Sequence, residues 1–390
     1  MSKTTIEWAD EVWNPTLGCS PAKGSEQGGC KNCYAQRSVH VRAGNPNAKI
    51  KAANEGLTVV TSNGPVWNGK VRCLPDRLDV PLHKKKPTRY FVNSLSDLFH
   101  EQIPDEFIDR VMAVIILSDS HRSSALNHTM QALTKRAIRM LSYMSDPDTP
   151  YRVSAQVCKQ VMGFLPARNG CDWTPITPWP PENLWLGVSV EDQGTANARI
   201  PLLLQTPAAI RFVSYEPALG PVDFDYYLHP RCMNCSVLLK PARRGREIGV
   251  DAALPCGCKY CWHCADNRGR HEDHDPSPPH GSPVLDWIVV GGESGPGARP
   301  FDIAWARNTI EQCKDAGVAC FVKQISGKPY DSEAVKQSDG YWPISEERYG
   351  SVKAFPGAAQ EYALCHVLKD RKGGDMSEWP EDLRVRELPL

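Results

Sequence analysis

The feature that most constrains this chain is a recurring unit: a short apolar run that ends in polar residues and is followed by a helix-like stretch. Tyr90-Phe91-Val92 runs out into Asn93-Ser94, and His128–Leu133 into Thr134-Lys135-Arg136. Leu184–Val190 ends at Glu191-Asp192, Ile210–Val213 at Ser214-Tyr215-Glu216-Pro217, and Leu285–Val290 at Gly291-Gly292-Glu293-Ser294. Ala319–Gln324 is the last run, and Ile6 to Trp13, stopped by Asn14-Pro15, is the first. Helical periodicity lies between them at Asp105–Ser118, after Arg136 through Met144, at Thr195–Leu204 and at Asp302–Ala316. Strand and helix in alternation predict a parallel α/β sheet. Right-handed crossovers curl such a sheet into a partial or near-complete (β/α) barrel. Polar residues at strand exits suit the C-terminal mouth of a barrel, where sites are built. An open doubly wound sheet is the alternative, but no GxGxxG or Walker sequence supports its nucleotide-binding forms. Residues 42–88 and 146–181, punctuated by Gly and Pro, read as irregular.

The second constraint is chemical. Cys19, Cys30 and Cys33 stand in a C-x10-C-x2-C pattern with no fourth cysteine close by. A structural zinc site wants four protein ligands. Three thiolates suit a [4Fe–4S] cluster with one iron left open for a substrate or cofactor. Tyr34–Val41 reads as a helix starting just after Cys33, so its dipole favours thiolate charge there. Trp8 and Trp13 read either as a wall beside the cluster or as ordinary core residues. Fifteen cysteines without a secretory hydrophobic stretch in MSKTTIEWADE lead to the expectation of a reduced, cytoplasmic metalloprotein rather than a disulfide scaffold. Lys plus Arg equals Asp plus Glu at 45 each, so global charge predicts neither a nucleic-acid coat nor an acidic partner. The longest apolar run, Val111 to Leu117, is too short to span a bilayer.

Between the fifth and sixth runs the composition changes. Cys232, Cys235, Cys256, Cys258, Cys261, Cys264, His271 and His274 follow one another with few apolar residues between them. An insert of this kind needs metal to fold. Its spacing resembles RING and treble-clef modules. In a cross-brace, Cys232, Cys235, Cys261 and Cys264 share one zinc, and Cys256, Cys258, His271 and His274 the other. A one-zinc module is the alternative, and His263 and His280 are spare ligands. The insert reads as a structural decoration, a partner-recruiting module or, through Arg243-Arg244-Gly245-Arg246, a nucleic-acid contact.

NPTLGC and GCKNCYA resemble the cysteine segment of radical S-adenosylmethionine (SAM) proteins, in particular a phage and bacterial family of otherwise unknown function. The likeness continues through FVNSLSDLFH, QALTKR, LWLGVSVED, RIPLLLQTPAAIRFVSYEPALGP and LDWIVVGGESGPGARP, and so covers most of residues 4–325. It implies a barrel of radical-SAM type with Cys19, Cys30 and Cys33 as catalytic cluster ligands and SAM as the cofactor. Ser189, Glu191, Ser214 and Glu216 are then candidates for its ribose or amino group. Ser94, Asp97 and Lys135 are candidates for substrate or methionine contacts. The resemblance also implies an electron donor, a flavodoxin or reductase, and no membrane. A nucleobase substituent in phage DNA or a nucleotide, of the thymidine hypermodification type, is the expected substrate, in host cytoplasm for a phage protein. Nucleic-acid repair, RNA modification and a peptide substrate are alternatives. A non-enzymatic zinc-binding interaction protein, with His40 or Cys73 as fourth ligand, is the rival of another class. The chain departs from the usual C-x3-C-x2-C spacing. It has Asn32 where an aromatic usually precedes the third cysteine, and its Gly-Gly-Glu stands at the sixth strand rather than the second.

The expected organisation is a barrel over 1–230 and 281–330, a zinc insert over 231–280 and an extension over 331–390. Metal assay of the purified chain is expected to return two zinc ions for the cross-brace; one or fewer removes that pairing.

Overall fold

The computed structural model describes residues 4, 6–120, 126–162, 174–229, 284–295, 297–327, 329–332, 364–365 and 368–389. Its centre is a sheet of seven strands: β1 (Glu11–Trp13), β2 (Arg89–Val92), β3 (Thr129–Thr134), β4 (Leu184–Val190), β5 (Ile210–Tyr215), β6 (Trp287–Gly291) and β7 (Ala319–Gln324). Every neighbouring pair is parallel, and the order across the sheet is the order along the chain. Right-handed crossovers that always step the same way put the helices on one face. The sheet curls into a parallel half-barrel, in line with the α/β class expected. The main helices are α1 (Tyr34–Ala43), α2 (Asp105–Leu117), α3 (Ala137–Ser145), α4 (Thr149–Met162), α5 (Gln193–Gln205) and α6 (Ile303–Ala316).

Alternation along the strands separates two cores. Tyr90, Val92, Met130, Ala132, Leu186, Val188, Val213, Ile288, Val290 and Val322 face the helices in the main core. Phe91, Phe212, Trp287, Val289 and Phe321 face the other way and join Trp8 in a smaller aromatic core. Trp8 and Phe91 lie 4.8 Å apart by ring centroid, and Phe212 and Trp287 5.5 Å. At Gly187 a Cβ would stand 2.5 Å from the Phe212 ring, so the glycine makes room for it. At and beyond the strand ends the residues become polar, and Asn93, Lys135, Ser189, Ser214, Glu216 and Lys323 line the space above the aromatic core. An aromatic plug therefore fills the lower half of the barrel, and its C-terminal mouth stays polar.

Two segments expected to be irregular contain regular elements among their described residues. Residues 146–181 contain α4, with Pro150 in its first turn, where no backbone N–H is required. Val153 of α4 is fully buried in the main core. Residues 42–88 contain a short helix, Ala48–Asn54, capped by Asn47, and an antiparallel hairpin of Thr58–Thr61 with Gly64–Trp67. Leu57 and Trp67 pack there with Val39 of α1. These elements are too short to show periodicity, and proline marked a start where it read as a break.

Part of the expected C-terminal extension belongs to the barrel. The Val322 N–H of β7 donates to the Val385 carbonyl at 2.8 Å, and Trp287 Nε1 donates to the Glu387 carbonyl at 2.9 Å. The tail thus covers the outer edge of β7, which would otherwise present unpaired backbone groups. Trp379 and Leu383 are buried in the main core. The expected zinc ligands Cys232, Cys235, Cys256, Cys258, Cys261, Cys264, His271 and His274 lie outside the described residues. Among the described residues no helix is long and apolar enough to cross a membrane. Trp379→Ala should lower stability by about 3–5 kcal/mol, as for a large aromatic removed from a core. Urea unfolding measures it, and an unchanged midpoint would show that the tail is not part of the fold.

Candidate functional site

The polar mouth encloses a cavity of about 400 Å³ lined by Cys19, Cys30 and Cys33. Cys19 arrives from the segment after β1, where Thr16–Leu17 pairs with Arg72–Cys73. Gly18, at φ +89°, makes the turn; a Cβ there would stand 2.2 Å from the Lys70 carbonyl oxygen. Cys33 caps the N-terminus of α1. Burial pushes the Cys19 thiol up to about 12, with Asp97 adding to the shift and Arg136 opposing it. Burial also raises Cys33, against backbone hydrogen bonds from Ala35 and Gln36 at the start of α1. Both are therefore thiols until a ligand displaces their protons.

Six strand exits, those of β2 to β7, meet at this cavity. Ser94, Asp97, Lys135, Ser189, Ser214 and Glu216 share the cavity with the three cysteines. Glu216 accepts hydrogen bonds from Lys323 Nζ at 2.7 and 2.8 Å and from Gln324 Nε2 at 3.2 Å. Ser189 accepts a short hydrogen bond from Lys135 Nζ and donates to the Glu216 carbonyl at 3.4 Å. Asp97 accepts from Thr134 Oγ1 at 2.7 Å, Lys135 N–H at 3.1 Å and Arg136 Nη1 at 3.1 Å, bracing the β2 and β3 exits together. Burial pulls the Lys135 ammonium down, but Glu191 and Cys30 carry its net shift upward, so it stays charged.

Glu191 has a different place from the other expected contacts. It is fully buried, outside the cavity lining, and its carboxylate serves the cysteine loop. Ser25 Oγ donates to it at 3.1 Å, Arg199 Nη1 at 2.9 Å and Lys135 Nζ at 3.1 Å. Arg199 Nη2 also donates to Ser25 Oγ at 2.6 Å. Gly29 passes so close that a Cβ would lie 2.5 Å from Glu191 Oε1. A second clasp comes from the Gly-Gly-Glu at the β6 exit. Glu293 accepts from Asn32 Nδ2 at 3.0 Å and from Arg299 Nη2 at 2.6 Å. Arg299 also donates to the Gln27 and Gly28 carbonyls, both at 3.0 Å. Burial pushes the Glu293 carboxyl up, but hydrogen bonds from Arg299 and Asn32 hold it below the usual range. The long gap between Cys19 and Cys30 is thus a loop tied down at two strand exits.

Sequence patterns missed Arg136, Arg199 and Arg299. Arg136 donates to Cys19 Sγ at 3.8 Å and to the Ser20 carbonyl at 3.1 Å. Its only signal was its place directly after Thr134-Lys135 at a strand exit. The rival fourth ligands stand elsewhere: His40 Nδ1 lies 3.3 Å from Thr58 Oγ1, and Cys73 packs against the main core. Among the described residues no three His, Cys, Asp or Glu side chains are disposed to hold a single metal ion.

The family described as Protein of unknown function (DUF5131) matches residues 3–369. The chain belongs to that family. Comparison with curated proteins and with solved structures found no match. The family match spans both clasps, the strand exits and the three cysteines.

Arg199→Ala leaves Glu191 buried with one fewer counter-charge. The expected loss is about 3–5 kcal/mol in chemical denaturation, the range for a broken buried pair. Arg199→Lys should recover only part of it, since one ammonium cannot reach both Ser25 and Glu191 in the fork geometry of arginine.

Proposed function

We propose that this DUF5131 protein is a radical-SAM enzyme whose Cys19, Cys30 and Cys33 hold a [4Fe–4S] cluster, and that it modifies a substituent on a nucleobase. The observation that carries the proposal is the convergence of these three thiols on one cavity at the C-terminal mouth of a consecutively ordered parallel half-barrel. The donor set fits. The cavity lining holds three cysteines, the thiolate ligands that such a cluster takes. Bound in that place and reduced by a flavodoxin or reductase, the cluster would supply reductive cleavage of SAM and a 5′-deoxyadenosyl radical for hydrogen abstraction.

The chain's own residues prepare the site. Arg136, beside Cys19, and the α1 N-terminus, at Cys33, favour thiolate over thiol when a cluster binds. The two clasps hold Cys30 and Cys33 against the strand exits. Ser189, Ser214 and Glu216 offer hydroxyl and carboxylate groups to a ribose or amino group. Lys323 holds Glu216 oriented through an ion pair at 2.7 Å. The Trp8–Phe91 plug closes the cavity from below and keeps water from the reacting centre. Glu191 enters as a positioning residue for the loop rather than as a ligand contact.

Anaerobic reconstitution should give a brown protein with about four irons per chain beyond any zinc. With dithionite and SAM it should release 5′-deoxyadenosine, and Cys30→Ala should abolish both results. Absence of iron–sulfur absorbance after reconstitution would end the proposal.

A further inference from the structure

Asn93 is the most poorly satisfied polar residue at the cavity. It lines the wall and is 2% exposed, yet neither its Nδ2 nor its Oδ1 has a hydrogen-bond partner. Its backbone is held from both sides: the N–H donates to the Trp13 carbonyl at 2.8 Å, and the carbonyl accepts from Ser96 at 3.3 Å. Its φ is +61°, a left-handed conformation that asparagine tolerates better than most residues. A buried amide with both ends unpaired costs free energy in proportion to its lost hydration. A ligand that offers a donor and an acceptor side by side would remove that cost.

The surroundings limit what such a ligand is. Phe91, two residues before Asn93 near the end of β2, has Trp8 packed against it and Leu133 on the neighbouring strand. All three line the cavity. An apolar, aromatic floor beneath an unpaired amide suits a ring with an amide-like edge. We propose that Asn93 reads the base of the substrate, pairing its amide with the N3–H and O4 edge of a thymine- or uracil-type ring that rests on Trp8 and Phe91. This rests on the nucleobase reading above and names the ring class and the residue that recognises it. Asparagine can also pair with adenine through N6 and N7, so adenine is the competing ring.

Isothermal titration calorimetry on the full chain, reconstituted anaerobically and saturated with SAM, compares thymidine, N3-methylthymidine, deoxycytidine and deoxyadenosine. Two variants separate recognition from folding. Asn93→Gly removes the amide but accepts the positive φ. Asn93→Asp keeps the shape and, when ionised, only accepts hydrogen bonds. Thymidine should bind the wild-type protein, and either N3-methylation or Asn93→Gly should weaken it by about tenfold or more. Asn93→Asp keeps the acceptor for N3–H but loses the donor to O4, so thymidine should bind it more weakly than the wild type. Thymidine affinity unchanged in Asn93→Gly would overturn the assignment. So would the absence of nucleoside binding to the wild type, or an effect of the variants confined to deoxyadenosine. Release of 5′-deoxyadenosine from SAM, measured without nucleoside, judges the radical-SAM reading separately.

Discussion

A buried carboxylate must be paired, and the rest of the site depends on how Glu191 meets that requirement. Its partners come from three places: Arg199 on α5, Lys135 at the β3 exit, and Ser25 inside the cysteine loop. None of them satisfies it alone, so the loop is held as long as the charge is buried. Glu293 repeats the device at the other side of the mouth, with Arg299 reaching the Gln27 and Gly28 carbonyls. A loop with ten residues between its first two cysteines would otherwise carry a large ordering cost. The two acid–arginine clasps bring Cys30 back to the wall that carries Cys19.

The sheet supplies the frame in which this works. Because consecutive strands are neighbours, each polar exit lies beside the next, and seven exits form a rim. The aromatic plug of Trp8, Phe91, Phe212, Trp287 and Phe321 fills the barrel below it. Space is therefore left only at the end where the chain has put its serines, lysines and acids. The tail that covers β7 protects the open edge of a half-barrel from pairing with another chain.

Much of this was legible without coordinates. Apolar runs with period-two alternation located the strands, and the polar residues after them located the mouth. Ser94, Asp97, Lys135, Ser189, Ser214 and Glu216 were found because a strand exit has a signature in one dimension. The arginines were not, because Arg199 lies 174 residues from Ser25 and Arg299 lies 272 residues from Gln27. Helix α4 was hidden by its leading proline, and the barrel role of Trp379 and Val385 by the low apolar content around them. The Gly-Gly-Glu was visible at a strand exit, but only its contacts identify its glutamate as a clasp.

By itself, the sequence determined the class of fold and the set of three thiols, since both follow from local periodicity and spacing. Only the tertiary structure decided that Glu191 and Glu293 hold the loop while Glu216 faces the cavity. It also decided that Asn93 stands there with an unpaired amide. The physical reason is that a carboxylate or an amide has no fixed role of its own. Burial and the partners brought from distant parts of the chain assign it one.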